Sequence, residues 1–329
     1  MTYSLYAGHC RDVLRDMPIN TFDSVVCDPP YALKFMGARW DYKIPSVEDW
    51  REHLRVLKPG GFLLAFAAPR TQHRMACNIE DAGFEIRDSI AWMYGQGMPK
   101  SGGLKPAHEP IIVAKKPGKG VKLNIDPCRV QASASDRAKV DGRVRVRDGS
   151  ERNAYGAFAR DNINEVISLH EGGRYPANII HDGSDEITSL FPNNNPGCKP
   201  HRVTAGVESI KALQAKGWGF SGSDKVAGYD DGDNLSAARF FYCAKPNKQD
   251  RNEGTSNGNN HLTVKPTELM RYLCRLVTPA GGLILDGFMG SGSTAKAAIL
   301  EGFGFVGIDL DPANVETARE RIEFVRGVI

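Results

Sequence analysis

The 329-residue sequence is marked first by what it lacks. No apolar run approaches the roughly 20 residues that cross a bilayer. The opening MTYSLYAGHCRDV has no signal-peptide pattern, which sets the cytosol as the expected location. Seven cysteines, an odd number with no C-x-x-C pair, argue against a disulfide framework and against a zinc site, and no metal is expected. Cys27 and Cys274 read as small core residues. Net charge is only +3, which permits a polyanionic partner without demanding one. A case for nucleic acid must therefore come from local features. There is no internal repeat and no low-complexity tract. The composition, 41% hydrophobic and 25% charged, is ordinary for a globular protein of one large or two modest domains.

Residues 1–116 alternate between strand and helix patterns. TYSLYA reads as a strand and HCRDVLRDM as a helix with Cys10, Val13, Leu14 and Met17 on one face. FDSVVC is the next strand. SVEDWREHLRVL is an amphipathic helix with Ser46 as cap and Asp49 at the third helical position of a capping box. KPGG should stop that helix ahead of the apolar strand FLLAFAA. A helix over RTQHRMACNIEDAG and strands over FEIRDSIAWMY and EPIIVAKK follow. The repetition predicts a parallel sheet covered on both faces. Residues 117–260 instead form a Gly-, Asn-, Asp-, Ser- and Arg-rich insert, close to neutral with 20 basic and 18 acidic residues. Within it, GRVRVRDG spaces Arg143, Arg145 and Arg147 so that a strand would put them on one face. That face suits phosphates or base edges, and a solvated edge strand suits the same residues equally. From 261 to 329 the α/β pattern returns: a helix over KPTELMRYLCRLVTP, then two strand–turn–helix units.

Two stretches carry chemistry. VVCDPPYALKF runs from a buried strand into Asp28, Pro29, Pro30 and Tyr31. Each proline lacks an N–H and holds the residue before it extended. The result is a stiff tip bearing a carboxylate, open carbonyls and an aromatic ring at a strand's carboxyl end, where open α/β sheets bind ligands. A proline-rich turn explains these residues alone as well. In LILDGFMGSGSTA, Gly290, Gly292 and Ala295 fit the G-x-G-x-x-G/A pattern straight after a strand. Asp309, 17 residues beyond Gly292, ends the next strand, where an acid can accept from ribose hydroxyls. This describes an adenosine-bearing cofactor. Only about 35 residues follow the turn, so its sheet partners must come from the N-terminus. The expected strand order is 283–286, 305–310, 3–7, 24–27, 62–68. It sets Asp286, Asp309, His9 and Asp28 at consecutive strand ends in one crevice.

LYAGHCRDVLRDMPINTFDSVVCDPPY, VLKPGGFLLAF, HLTVKP and LDGFMGSGST resemble the motifs of the β class of S-adenosylmethionine-dependent DNA amino-methyltransferases, closest to its phage and prophage members. The resemblance covers 1–116 and 261–329 in that class's permuted order. It implies a circularly permuted, Rossmann-like α/β sheet in which 1–116 is the catalytic half, 117–260 the target-recognition insert and 261–329 the cofactor half. It implies double-stranded DNA as partner, with the target base flipped out, and leaves a homodimer and a restriction–modification setting open. Asp28 and the Pro29 carbonyl would accept the two amino hydrogens of the base while Tyr31 stacks on it, on a tip completed by Pro30. Phe288, Gly290, Ser291, Gly292, Ser293 and Thr294 would cradle S-adenosyl-L-methionine, with His9, Asp28, Asp286 and Asp309 around it. Thr263, Lys265 and Pro266 would close over it. Lys265 also reads as a surface lysine and Phe288 as a core residue. Three positions depart from the family: His9 for an acid, Gly287 for a proline, and Leu262 for a proline. Asp28 points to N6 of adenine, because the N4-cytosine enzymes more often carry serine there. A Rossmann-type oxidoreductase would use the glycines and leave the DPPY tip idle, and a non-catalytic DNA-binding module would use neither half.

Overall fold

The computed structural model describes residues 2–97, 103–119, 122–141, 143–146, 164–192, 236–244, 249–256, 258–261 and 263–328. The chain divides into one unit of Met1–Ile187 with Phe240–Ile329 and a second of Thr188–Arg239. In the described part of the second, Ala237 N–H donates to the Pro192 carbonyl and the Ser236 hydroxyl to the Thr188 carbonyl. Among the described residues no helix is long and apolar enough to cross a membrane.

The first unit is built on a nine-stranded sheet. Its strands are β1 (Tyr3–Ala7), β2 (Phe22–Cys27), β3 (Leu57–Phe66), β4 (Glu85–Met93), β5 (His108–Lys115), β8 (Ile179–His181), β9 (Tyr242–Cys243), β10 (Leu283–Asp286) and β11 (Gly304–Asp309). They lie in the order β1-β11-β10-β2-β3-β5-β4-β8-β9. β6 (Arg143–Val146) and β7 (Asn164–Ile167) form a separate antiparallel ribbon. Strands β8 and β9 come from within 117–260, so that stretch extends the sheet as well as carrying the ribbon.

Two expectations need correcting. First, β1 is an edge strand beyond β11, and β10, not β1, lies beside β2. The residues explain this. β2 is buried on both faces, whereas β1 alternates between half-buried and exposed, as an edge requires. Asp23 also accepts the Leu283 N–H at 2.9 Å, and the Ser24 and Thr278 hydroxyls meet at 2.7 Å, which docks the start of β10 against β2. Second, the sheet is mixed: β5 inserts antiparallel between β3 and β4. The described residues between β4 and β5, 94–97 and 103–107, include no crossover helix of the kind a parallel return needs. KPGG likewise does not separate helix from strand. β3 begins at Leu57, and Pro59 to Gly61 fall in an irregularity where its register against β2 shifts.

Strand alternation divides the core in two. Val25, Cys27, Leu63, Ala65 and Ile112 face the helices Cys10–Arg15, Val47–Val56 and Gln72–Asp81. Val26, Leu64, Ile111 and Val113 face Thr267–Val277, Ser293–Leu300 and Pro312–Val328. The capping box of Val47–Val56 forms as expected, with Ser46 and Asp49 each accepting from the other's backbone N–H. Leu269, Leu273 and Leu276 are buried in Thr267–Val277. Helix Ser293–Leu300 is buried on every side, and Ala295, Ala297 and Ala298 are small enough to let its neighbours close on it.

Candidate active site

The carboxyl ends of β1, β11, β10 and β2 open into one cavity of about 1620 Å³. Asp28, Pro29, Pro30 and Tyr31 line it together with His9, Thr263, Lys265, Asp286, Phe288, Gly290, Ser291, Ser293, Thr294 and Asp309. Gly292 stands behind the turn against Ala318, and Pro266 is the residue before helix Thr267–Val277. Arg143 and Arg145 lie on β6, while Arg147 and Leu262 fall outside the described residues.

The tip after β2 is held from beneath by a residue whose importance no local pattern signals. Asp41 is buried, and its carboxylate accepts the N–H groups of Tyr31 at 2.7 Å, Leu33 at 3.1 Å and Phe35 at 3.0 Å. The Lys34 N–H donates to the Asp41 carbonyl. Ala32, Lys34 and Met36 all take positive φ, a left-handed backbone that costs side-chain-bearing residues energy. Charge-assisted bonds to Asp41 offset that cost and fix where Tyr31 leaves the backbone. The Thr71 hydroxyl adds a bond to the Tyr31 carbonyl at 2.9 Å.

At the tip, the buried Lys265 ammonium lies 2.8 Å from Asp28 Oδ2 and 3.0 Å from Glu109 Oε2, and donates to Tyr31 Oη at 3.1 Å. The Tyr31 hydroxyl donates to Asp28 and lies 3.2 Å from Glu109. The ammonium also stands over the Tyr31 and Phe66 rings. Burial alone would lower the Lys265 pKa, but Asp28 and Glu109 outweigh it and raise it, so the side chain stays charged. Burial, then Asp28 and Glu109, push the Tyr31 hydroxyl well up, so it stays a donor. Lys265, read from sequence as closing over a cofactor, thus puts its head on the DPPY tip. Glu109, at the start of β5 in HEPIIV, was invisible to sequence reading because an acid before an apolar strand is unexceptional.

The glycine turn sits at the end of β10. Gly290 N–H donates to Asp309 Oδ2 at 2.8 Å, and the other oxygen of Asp309 accepts from Asp311 N–H and the Asn314 amide. Gly292 has φ 82°, and a Cβ there would lie 2.6 Å from the Ala318 Cβ. Asp286 accepts the Phe288 N–H at 3.0 Å. Burial pushes the Asp286 carboxyl up to about 7; bonds from Thr294 and Phe288 oppose the shift, and the charges of Asp28 and Asp309 add to it. His9 caps helix Cys10–Arg15, its Nδ1 accepting the Arg11 N–H. His9, Cys10 and Asp49 lie close enough to share an ion. Each is otherwise committed, however: His9 and Asp49 to helix caps, and Cys10 to a thiol that burial raises to about 12.

The arm that delivers Lys265 is anchored by a second set of buried charges. Lys296 lies 2.7 Å from Asp250, and Arg321 donates to the carbonyls of Ser291 and Asp250. Asp250 accepts the Thr267 N–H in turn. Asn259 donates to the Ser291 hydroxyl at 2.9 Å, and the His261 ring stacks on Trp40 at 6.3 Å while packing on Gly290.

With this geometry in hand, comparison with known proteins decides the family. The profile of the N6/N4 DNA methylase family matches residues 22–320. The chain belongs to that family, and is a DNA methyltransferase of its N6/N4 type. It is 37% identical to the type II methyltransferase M.BglI of Bacillus subtilis, over 97% of this chain and 85% of that protein. It is 24% identical to the type II methyltransferase M.SfiI of Streptomyces fimbriatus, over 94% and 88%. Over 40% of its length it is 31% identical to M.HpaI of Haemophilus parainfluenzae, covering 44% of that enzyme. Among solved structures, the cytosine-N4-specific PvuII DNA methyltransferase superimposes with a TM-score of 0.51 at 15% identity, covering 98% of this chain and 86% of that one. That likeness is one of fold.

Two outcomes test the site's construction. Asp41→Ala should remove about 2–4 kcal/mol of stability in urea unfolding, because three part-buried N–H groups lose a charged acceptor. Asp286→Asn tests the raised carboxyl. The native protein keeps this proton up to about pH 7, whereas the unfolded chain loses it near pH 4. The wild-type contribution is therefore fully present below about pH 4 and lost as pH rises through 7. The variant should be the more stable at pH 8, by on the order of 2–4 kcal/mol, with the gap shrinking progressively as pH falls towards 4.

Proposed function

We propose that this enzyme methylates the exocyclic N6 of an adenine turned out of double-stranded DNA, using S-adenosyl-L-methionine. The observation that carries the reading is the meeting of two distant motifs in one cavity: the fixed DPPY tip of β2 and the glycine turn of the adjacent β10. The turn fits a nucleoside cofactor. Its backbone leaves no room for a side chain at Gly292, and acids stand at the strand ends on both sides. Phe288, Ser291, Ser293, Thr294, Asp286 and Asp309 would hold the cofactor, with His9 and Thr263 at its margins. When bound, it supplies a methyl group on a sulfonium, a good leaving group.

Asp28 and the Pro29 carbonyl orient the amino group. An adenine N6 lone pair is delocalised into the ring, and two acceptors on its hydrogens draw the nitrogen towards sp³ geometry. With the cofactor held there, the lone pair would be free to take the methyl group, the C–S bond breaking with its electrons left on sulfur. The nitrogen then sheds one proton, with Asp28 the nearest carboxylate. Flipping costs a few kcal/mol of stacking, which the Tyr31 ring offsets by about 1–3 kcal/mol when it stacks on the base. Aspartate at 28, where N4 enzymes of the family more often carry serine, favours adenine over cytosine. Residues of 117–260 read the target, with Arg143, Arg145 and Arg147 on phosphates or base edges. The type II names of M.BglI and M.SfiI support a role in marking DNA beside a restriction enzyme.

Labelled S-adenosylmethionine incubated with DNAs of varied sequence, then digested to nucleosides, should give N6-methyladenine. Label in N4-methylcytosine would overturn the adenine assignment, and no transfer to any DNA the whole reading. Asp28→Ala should bind the cofactor normally and lose at least about a hundredfold in transfer rate.

A further inference from the structure

Both oxygens of Asp28 already have a partner in this structure. One oxygen takes the Tyr31 hydroxyl and the other the Lys265 ammonium at 2.8 Å. The chemistry proposed above, on which this inference rests, needs an Asp28 oxygen for the amino group and the Tyr31 ring against the base. Neither donor can simply be dropped, because Tyr31 keeps its proton and Lys265 its charge in a buried setting. Each therefore needs another acceptor within reach when Asp28 turns away.

One residue offers that to both. Glu109 Oε2 lies 3.2 Å from the Tyr31 hydroxyl and 3.0 Å from the Lys265 ammonium, so Asp28 and Glu109 already share the same two partners. We infer that Glu109 is a positioning residue that takes over Tyr31 and Lys265 and so releases Asp28 to the target amino group. Its backbone is stiff enough for the task. Glu109 pairs with Trp92 across the β4–β5 ladder and precedes Pro110, while the tip opposite hangs on Asp41. The geometry also fixes the electrostatics. Two carboxylates flank one ammonium, so the negative charge of Glu109 offsets part of its pull on Asp28, and Asp28 remains a usable acceptor. Without Glu109 the ammonium would stay on Asp28 alone. The charged and titratable groups facing Glu109 are Asp28 and Tyr31 from the tip, Tyr94 beyond β4, and Lys265 from the arm.

The test is single-turnover methyl transfer at saturating labelled S-adenosylmethionine and DNA for wild type, E109A, E109Q and E109D. E109A and E109Q should slow transfer by about ten- to a hundredfold, the worth of a hydrogen bond to a charged group. Cofactor Kd by equilibrium dialysis should stay within about twofold, because Glu109 acts on the transition-state geometry and not on cofactor binding. E109D should recover part of the rate. E109Q, equal in size, carries the test if E109A unfolds. A wild-type rate in E109Q would overturn the inference, as would a loss that merely follows weakened cofactor binding or that E109D does not relieve. Wild-type label on cytosine with slow E109Q would overturn the adenine assignment and leave Glu109 standing; no wild-type transfer would overturn both.

Discussion

The buried ammonium of Lys265 is the constraint on which the site is built. A charge taken out of water is tolerated only where opposite charges and acceptors surround it. Here they come from two distant places, Asp28 and Tyr31 after β2 and Glu109 at the start of β5, while Lys265 itself stands before helix Thr267–Val277. Folding must bring the DPPY tip, the middle of the sheet and the C-terminal arm to one point or leave that charge uncompensated. Asp286, on the neighbouring strand end, shows the opposite solution. Among the described residues it has no cation beside it, only the Phe288 N–H and Thr294, and burial holds its proton to about pH 7. Two neighbouring strand ends thus treat a carboxylate in opposite ways: Lys265 balances Asp28, and burial keeps Asp286 protonated.

The same logic anchors the arm. Lys296 and Arg321 are buried and meet Asp250, which accepts the first N–H of helix Thr267–Val277. Burial works to raise the Asp250 pKa, but Lys296 and the Thr267 bonds prevail and lower it, so the carboxylate stays charged. Removing either partner of such a pair strands the other, which makes buried ionic anchors specific even where they add little net stability. Segment 250–265 is therefore fixed at both ends by buried cations. Between them, Asn259 and His261 rest on Ser291 and Gly290, so the arm and the glycine turn keep a common position.

The strands, most helices and the Ser46 capping box were legible because each is written in a local period or a neighbouring pair of residues. The gathering of Asp286, Asp309, His9 and Asp28 at one mouth was legible from the motifs and the shortage of sheet after the turn. The strand order was not, since it rests on long-range contacts such as Asp23 to Leu283. Nor was the antiparallel β5, whose direction is set by its pairing with β3 and β4 and by no residue of its own. Asp41 and Glu109 had no local signature at all. A carboxylate that accepts three loop N–H groups looks like any loop acid until the loop is folded.

Gly287 shows how a departure from the family's pattern is absorbed. Replacing the proline usual there should slacken the turn between Asp286 and Phe288 by freeing φ. The structure supplies stiffness by packing instead. His53 is fully buried, its Nδ1 bonded to the Asp49 carbonyl at 2.8 Å, and its ring stacks on Phe288 at 5.5 Å and 11°. That bond places the proton on Nδ1 and leaves Nε2 bare, and burial lowers the pKa and keeps the ring neutral. The ring edge fills the space a side chain at 287 would need: a Cβ there would lie 2.2 Å from Nε2. Proline at 287 and histidine at 53 are therefore mutually exclusive in this packing. The turn that presents Phe288 is held by a ring from helix Val47–Val56 rather than by a locked backbone angle.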